Sequence, residues 1–128
     1  MINADMPRNA VLRGIKRLMY KKDIAATEAD YGVSIREAHQ AYREAIAIAR
    51  HELEKNLEAA ALAIDSVMHR LRDAGDEVST HPDFIAAHEH MNAIRLAGAK
   101  RLAEIDDELQ ASLEELKRSY MEKMSSWT

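Results

Sequence analysis

The chain has 128 residues, with 18 Lys and Arg against 22 Asp and Glu, four Gly, two Pro, six aromatic residues and no Cys. That is enough chain for one domain with a modest core. The missing Cys excludes disulfide scaffolds, thiolate zinc sites and cysteine catalysis, and the shortage of aromatics leaves Leu, Ile, Met and Ala to build an interior with little room for a ligand cavity.

The formal charge of −4 is unevenly spread. Residues 1–22 hold Arg8, Arg13, Lys16, Arg17, Lys21 and Lys22 against Asp5, a balance of +5, so the remainder carries −9. No apolar run approaches the roughly 18–20 residues that cross a bilayer. Met1–Pro7 lacks the charged and apolar regions of a signal peptide, so a cytoplasmic protein is expected.

In chain order, Val11, Leu12, Ile15, Leu18 and Met19 recur at helical spacing and predict a basic amphipathic helix over 8–30. Pro7 suits its opening, and Tyr31-Gly32 suits its end. Ser34 with Glu37 reads as a capping box that starts a second helix over 34–74. Ile35, Ala38, Tyr42, Ile46, Ala49, Leu53, Leu57, Ala60, Ile64, Val67 and Leu71 form its stripe.

The run Ala74–Thr80 reads as a turn with Gly75 as the helix stop, and Thr80 with Asp83 as the next cap. A third helix over 80–124 carries Ile85, Met91, Ile94, Leu102, Ile105, Leu109, Leu113, Leu116, Tyr120 and Met124, with Glu114–Arg118 and Arg118–Glu122 as surface pairs. Ser125–Thr128 reads as a frayed tail, and no internal repeat is evident.

Two long helices joined by a short turn run antiparallel. The expected fold is therefore all-α, a single helical domain over 1–128. It is a long, coiled-coil-like antiparallel hairpin with the short N-terminal helix packed at its open end. Ala45–Ala49 is apolar all round, which predicts that the first helix folds back at Gly32 to cover it as a three-helix bundle. The apolar surplus at Ala59–Ile64 makes Ala60, Leu62 and Ile64 a candidate oligomer interface.

Three constellations bear on chemistry. His69, His81 and His88, with His90 and nearby carboxylates, are weak candidates for a metal, because no Glu-x-x-His or His-Glu-x-x-His spacing is present. The six N-terminal cations could neutralise phosphates, lie on an anionic membrane, or pair with the acidic body. Residues 23–38, with Gly-Val-Ser at the turn, also admit a helix-turn-helix reading.

No nucleophile, base and orienting group can be assembled, so neither an enzyme nor a cofactor is expected. A basic N-terminal element followed by a long helical hairpin resembles, in layout, the small terminase subunits of phage DNA packaging. That resemblance implies an oligomeric DNA-binding accessory factor using Arg8, Arg13, Lys16, Arg17, Lys21 and Lys22. The residues themselves favour a non-enzymatic scaffold that self-associates through apolar stripes and binds a protein partner.

Overall fold

A computed structural model describes residues 8–127, with the side chains of Arg8 and Asn9 outside that description. Three helices follow one another: α1 Arg8–Met19, α2 Lys21–Asp73 and α3 Pro82–Trp127. Helix accounts for 92% of the described residues, and α2 and α3 pack against each other as an antiparallel hairpin. The contacts divide between two compact units, one of residues 1–41 with 108–128 and the other of residues 42–107. Pro7, expected to open the first helix, lies outside the described residues.

The seam between α2 and α3 has an 11-residue period. At Tyr20 and along α2 the residues turned inward are Tyr20, Tyr31, Tyr42, Leu53 and Ile64; Ile24, Ile35, Ile46, Leu57 and Met68; and Thr27, Ala38, Ala49, Ala60 and Leu71, each buried or half-buried. On α3 they are Met91, Leu102, Leu113 and Met124, with Ile94, Ile105, Leu116 and Trp127 three places on. The expectation of no internal repeat is thus corrected. An 11-residue repeat averages about 3.67 residues per turn, so the stripe drifts slowly and in the direction opposite to that of a heptad. Coiled-coil-like packing holds; a heptad seam does not.

Within residues 42–107, Leu53 fills the space where Gly98 has no side chain. A Cβ on Gly98 would lie 2.8 Å from Leu53 Cδ2, 3.0 Å from Cγ and closer still to Cδ1. Ala60, Ile64, Leu71 and Ile105 form the fully buried core. Tyr42 donates its hydroxyl to Asp106 Oδ1 at 2.6 Å, tying the two helices at the seam edge. Within the other unit Tyr31 stacks on Tyr120 at 4.3 Å between centroids, and Tyr20 meets Trp127 at 4.8 Å.

The hairpin turn is built as its letters suggest. Asp76 N–H donates to Leu71 O at 2.9 Å and Gly75 N–H to Arg72 O at 3.0 Å, with Gly75 at φ 75°. That pair of bonds is the Schellman closure, and the left-handed position it requires is cheap for Gly. The start of α3 differs from the expected Thr80–Asp83 cap. His81 Nδ1 accepts the Asp83 N–H at 3.1 Å, His81 O takes the first helical bond from Ile85 N–H, and Pro82 occupies the first helical position. His81 Nδ1 also lies 3.9 Å from Asp83 Oδ2. The cation that meets Asp83 is Arg70, at 2.8 Å.

The other boundaries need correction as well. α2 passes through Gly32 and Ser34 without interruption, so the helix end at 30, the capping box at 34, the fold-back at Gly32, the three-helix bundle and the helix-turn-helix all fall together. Tyr31 and Ile35 are seam residues, and breaking the helix between them would cost the Tyr31–Tyr120 stack. A mid-helix Gly costs only about 1 kcal/mol relative to Ala. Packing outweighs the local signal.

Gly32 has no atom nearer to a would-be Cβ than Arg36 Nη1 at 3.9 Å. Gly32→Ala is therefore expected to stabilise the chain by about 0.5–1 kcal/mol, read as a raised midpoint in urea unfolding. An unchanged or lowered midpoint would restore a turn at this position. At the other end, Ser125–Trp127 is helical rather than frayed, and the Ser125 hydroxyl donates to Glu122 O at 2.7 Å. Arg118 approaches Glu115 at 3.6 Å rather than forming the expected i,i+4 pairs with Glu114 and Glu122.

The interruption between α1 and α2 falls at Tyr20. Tyr20 N–H still donates to Lys16 O, and Tyr20 O still accepts from Ile24 N–H, at 2.9 and 2.8 Å. Traced back through Tyr20 at the same period, the seam positions become Arg13 and Lys16, which are charged. The apolar face therefore changes side at Tyr20, and α1 cannot prolong the seam.

Candidate interaction surfaces

α1 meets the end of the hairpin through its last residues only. Leu18 and Arg17 join Lys21, Ile24, Glu28 and Met124 around an open groove of about 400 Å³. The rest of its apolar stripe is uncovered: Val11, Leu12 and Ile15 are about half exposed, Met19 is 69% exposed and Leu18 78%. At 100° per residue these five side chains span about 120° of arc, the width of a stripe built to be buried.

Arg13, Lys16 and Arg17 occupy the opposite arc, and Lys21 and Lys22 follow at the start of α2. All five cations are exposed, and none of their side chains has a hydrogen bond or ion pair with a described residue. Of the interactions expected for them, pairing with the acidic body is absent among the described residues. Arg8 opens α1, with its side chain outside the description.

The opposite end of the hairpin is acidic. Asp73, Asp76, Glu77, Asp83 and Glu89 lie in a run without Lys or Arg. The hydrogen bond and charge of Arg70 hold the Asp83 carboxyl below the usual carboxylate range. His88 packs edge-on against Phe84 at 4.5 Å, His69 is exposed, and His81 serves as the helix cap. No group of three or more His, Asp or Glu among the described residues is placed to hold a metal, so the candidate set His69, His81 and His88 is not brought together.

The proposed interface residues separate. Ala60 and Ile64 are 4% and 7% exposed, consumed by the intramolecular seam, whereas Leu62 on the outer face is 64% exposed. As a three-residue patch the candidate interface is corrected to Leu62. Sequence reasoning missed its counterpart on α3. Ile85, Leu96, Ala99 and Ala103 lie on one outer stripe of that helix, all exposed, with Leu96 at 72%. The spacing of eleven, three and four residues was available in the sequence, but it could not be told from the seam stripe until one side was covered.

The Tyr31–Tyr120 stack sits in a polar crevice with Thr27, Asp30, Ser34, Ser119 and Lys123, of about 80 Å³. That volume holds water rather than a substrate, since small-molecule sites run from roughly 300 Å³ upward. Tyr42 has a displaced titration. Its hydrogen bond to the Asp106 carboxylate raises its pKa above 10.0.

The folded pKa of Tyr42 is the higher one, so its contribution to stability is complete below the unfolded value. It is lost as pH rises through the folded value. Absorbance titration should therefore show a late-ionising tyrosine component, and Tyr42→Phe should remove it. A Tyr42→Phe curve superimposing on the wild type would refute the assignment.

The architecture defines an all-α antiparallel hairpin carrying an exposed amphipathic helix at one end. No family model, no curated protein and no solved structure matches the chain. No helix among the described residues is long and apolar enough to cross a membrane.

Proposed function

We propose that this chain is a non-catalytic helical interaction protein that self-associates through the outward apolar stripes of α2 and α3. The observation that carries this reading is the surplus of exposed surface. The chain exposes 9954 Å², against about 6,900 Å² expected from the surface–mass scaling of compact monomers for 14.5 kDa. Among the described residues four side chains are buried, while six large hydrophobic ones on α2 and α3 (Val33, Ile48, Leu62, Ile85, Leu96 and Met121) are exposed. A difference of about 3,000 Å² per chain exceeds the roughly 1,000–2,500 Å² that each partner of a permanent homodimer buries, so it leaves room for such an interface. Small Ala side chains beside Leu96 would let a second helix approach to about 8–10 Å.

The test is the molar mass in lipid-free solution by light scattering. The wild type is expected above 14.5 kDa, and Leu96→Glu together with Leu62→Glu should return it to the monomer with helix content retained. A wild type that is monomeric at the highest attainable concentration ends the proposal.

A second reading, an oligomeric DNA-binding accessory factor, draws on the unpaired Arg13, Lys16, Arg17, Lys21 and Lys22. It requires a salt-sensitive mobility shift that the Ala variants of these residues lose. No shift at low salt removes it.

A further inference from the structure

We propose that α1 is an in-plane anchor that docks on an anionic lipid surface. The helix needs a cover: most helical stability comes from packing an apolar face, and the stripe that would stabilise this one by packing is exposed along its length. The cover has to be apolar and anionic together. The apolar arc of Val11, Leu12, Ile15, Leu18 and Met19 faces one way and Arg13, Lys16 and Arg17 the other, with no Asp or Glu from Arg8 to Lys22. The boundary between acyl chains and anionic headgroups meets both requirements, with Lys and Arg reaching up to the phosphates. At about 1.5 Å per residue α1 is roughly 18 Å long, short of the ~30 Å hydrocarbon core, so it lies in the surface rather than across it.

Other covers satisfy half of the requirement. A nucleic-acid duplex would neutralise the cations and leave five apolar side chains in water. A second α1 would cover the stripe but leave the cations on the far face without counter-charge. The acidic turn of another copy offers carboxylates, but its Val78 and Phe84 are already half-buried. Each cation near an anionic leaflet contributes roughly a five-fold gain in binding, so three of them separate anionic from neutral vesicles by about 100-fold.

The experiment uses the full chain and vesicles of phosphatidylcholine with phosphatidylglycerol at three to one, against phosphatidylcholine alone. Sedimentation with the anionic vesicles is expected. The triple variant Arg13→Gln, Lys16→Gln, Arg17→Gln should bind about 100-fold more weakly, and Ile15→Glu with Leu18→Glu should abolish binding. Because the chain has no Cys, Leu12→Cys and Arg17→Cys each take a single polarity-sensitive dye. The dye at position 12 should shift to the blue on vesicles and the dye at 17 should not, a comparison that stands even if the double Glu variant fails to fold.

Three results would overturn the proposal. One is no sedimentation with anionic vesicles. Another is vesicle binding that survives Ile15→Glu with Leu18→Glu, which makes the contact one of cations with phosphate alone. The third is a dye at position 12 already blue-shifted without vesicles, which makes a second copy the cover. Molar mass in lipid-free buffer is read separately, so failure here is distinct from failure of self-association.

Discussion

Leu71→Ala is expected to cost the hairpin about 3 kcal/mol, within the roughly 2–5 kcal/mol range for truncating a buried Leu. Leu71 is 1% exposed, the most deeply buried large side chain among the described residues. It sits in the last full turn of α2, and its own carbonyl accepts the Asp76 N–H that closes the hairpin. Removing its side chain opens a cavity where the two helices are joined, and the thin seam has few neighbours that can collapse into it. Domains are stable by only about 5–15 kcal/mol, so this is a large fraction of the total. The midpoint of thermal unfolding should fall by about 10 °C, measured by circular dichroism at fixed protein concentration. A loss below about 1 kcal/mol would mean that the seam does not enclose Leu71.

Gly98→Ala should destabilise the chain, against what helix propensity alone predicts. Ala in mid-helix gains about 1 kcal/mol over Gly, and Gly32→Ala should realise most of that gain. At Gly98 the new methyl would meet Leu53 at Cδ2, Cγ and Cδ1 together, so the whole side chain has to move rather than only its tip. Overpacking of this kind costs about 1–3 kcal/mol, which outweighs the propensity gain or cancels it. The mechanism has its own check: in a Leu53→Ala background the same Gly98→Ala should become stabilising. The two changes would then couple by about 1 kcal/mol or more in a double-mutant cycle of urea midpoints. Additive effects would refute the Leu53–Gly98 contact.

The surfaces left over define what the fold can offer a partner. The seam consumes Ala60, Ile64, Leu71 and Ile105, and the stripes it leaves outward are centred on Leu62 and Leu96. α1 differs from both in joining an apolar arc to unpaired cations. That combination is why the proposals assign self-association to the long helices and lipid docking to α1.

What was legible in the sequence was what short-range chemistry fixes. The helical composition, the stop at Gly75 with its Schellman bonds, Pro82 in the first turn of α3 and the amphipathic stripe of residues 11–19 could each be read from neighbouring letters. The 11-residue repeat was written there too, but outward apolar residues such as Leu62 and Leu96 blurred it.

Only the tertiary structure decided where α2 begins, that His81 rather than Thr80 caps α3, which of Ala60, Leu62 and Ile64 is covered, and why residue 98 is Gly. The reason is one of magnitude. A capping box or a helical Gly biases the backbone by about 1 kcal/mol, whereas a partner helix offers several such increments at once. At Gly32 the Tyr31–Tyr120 stack and the continuous seam prevail over the local stop. At Tyr20 the seam runs out, and the helix is interrupted there instead.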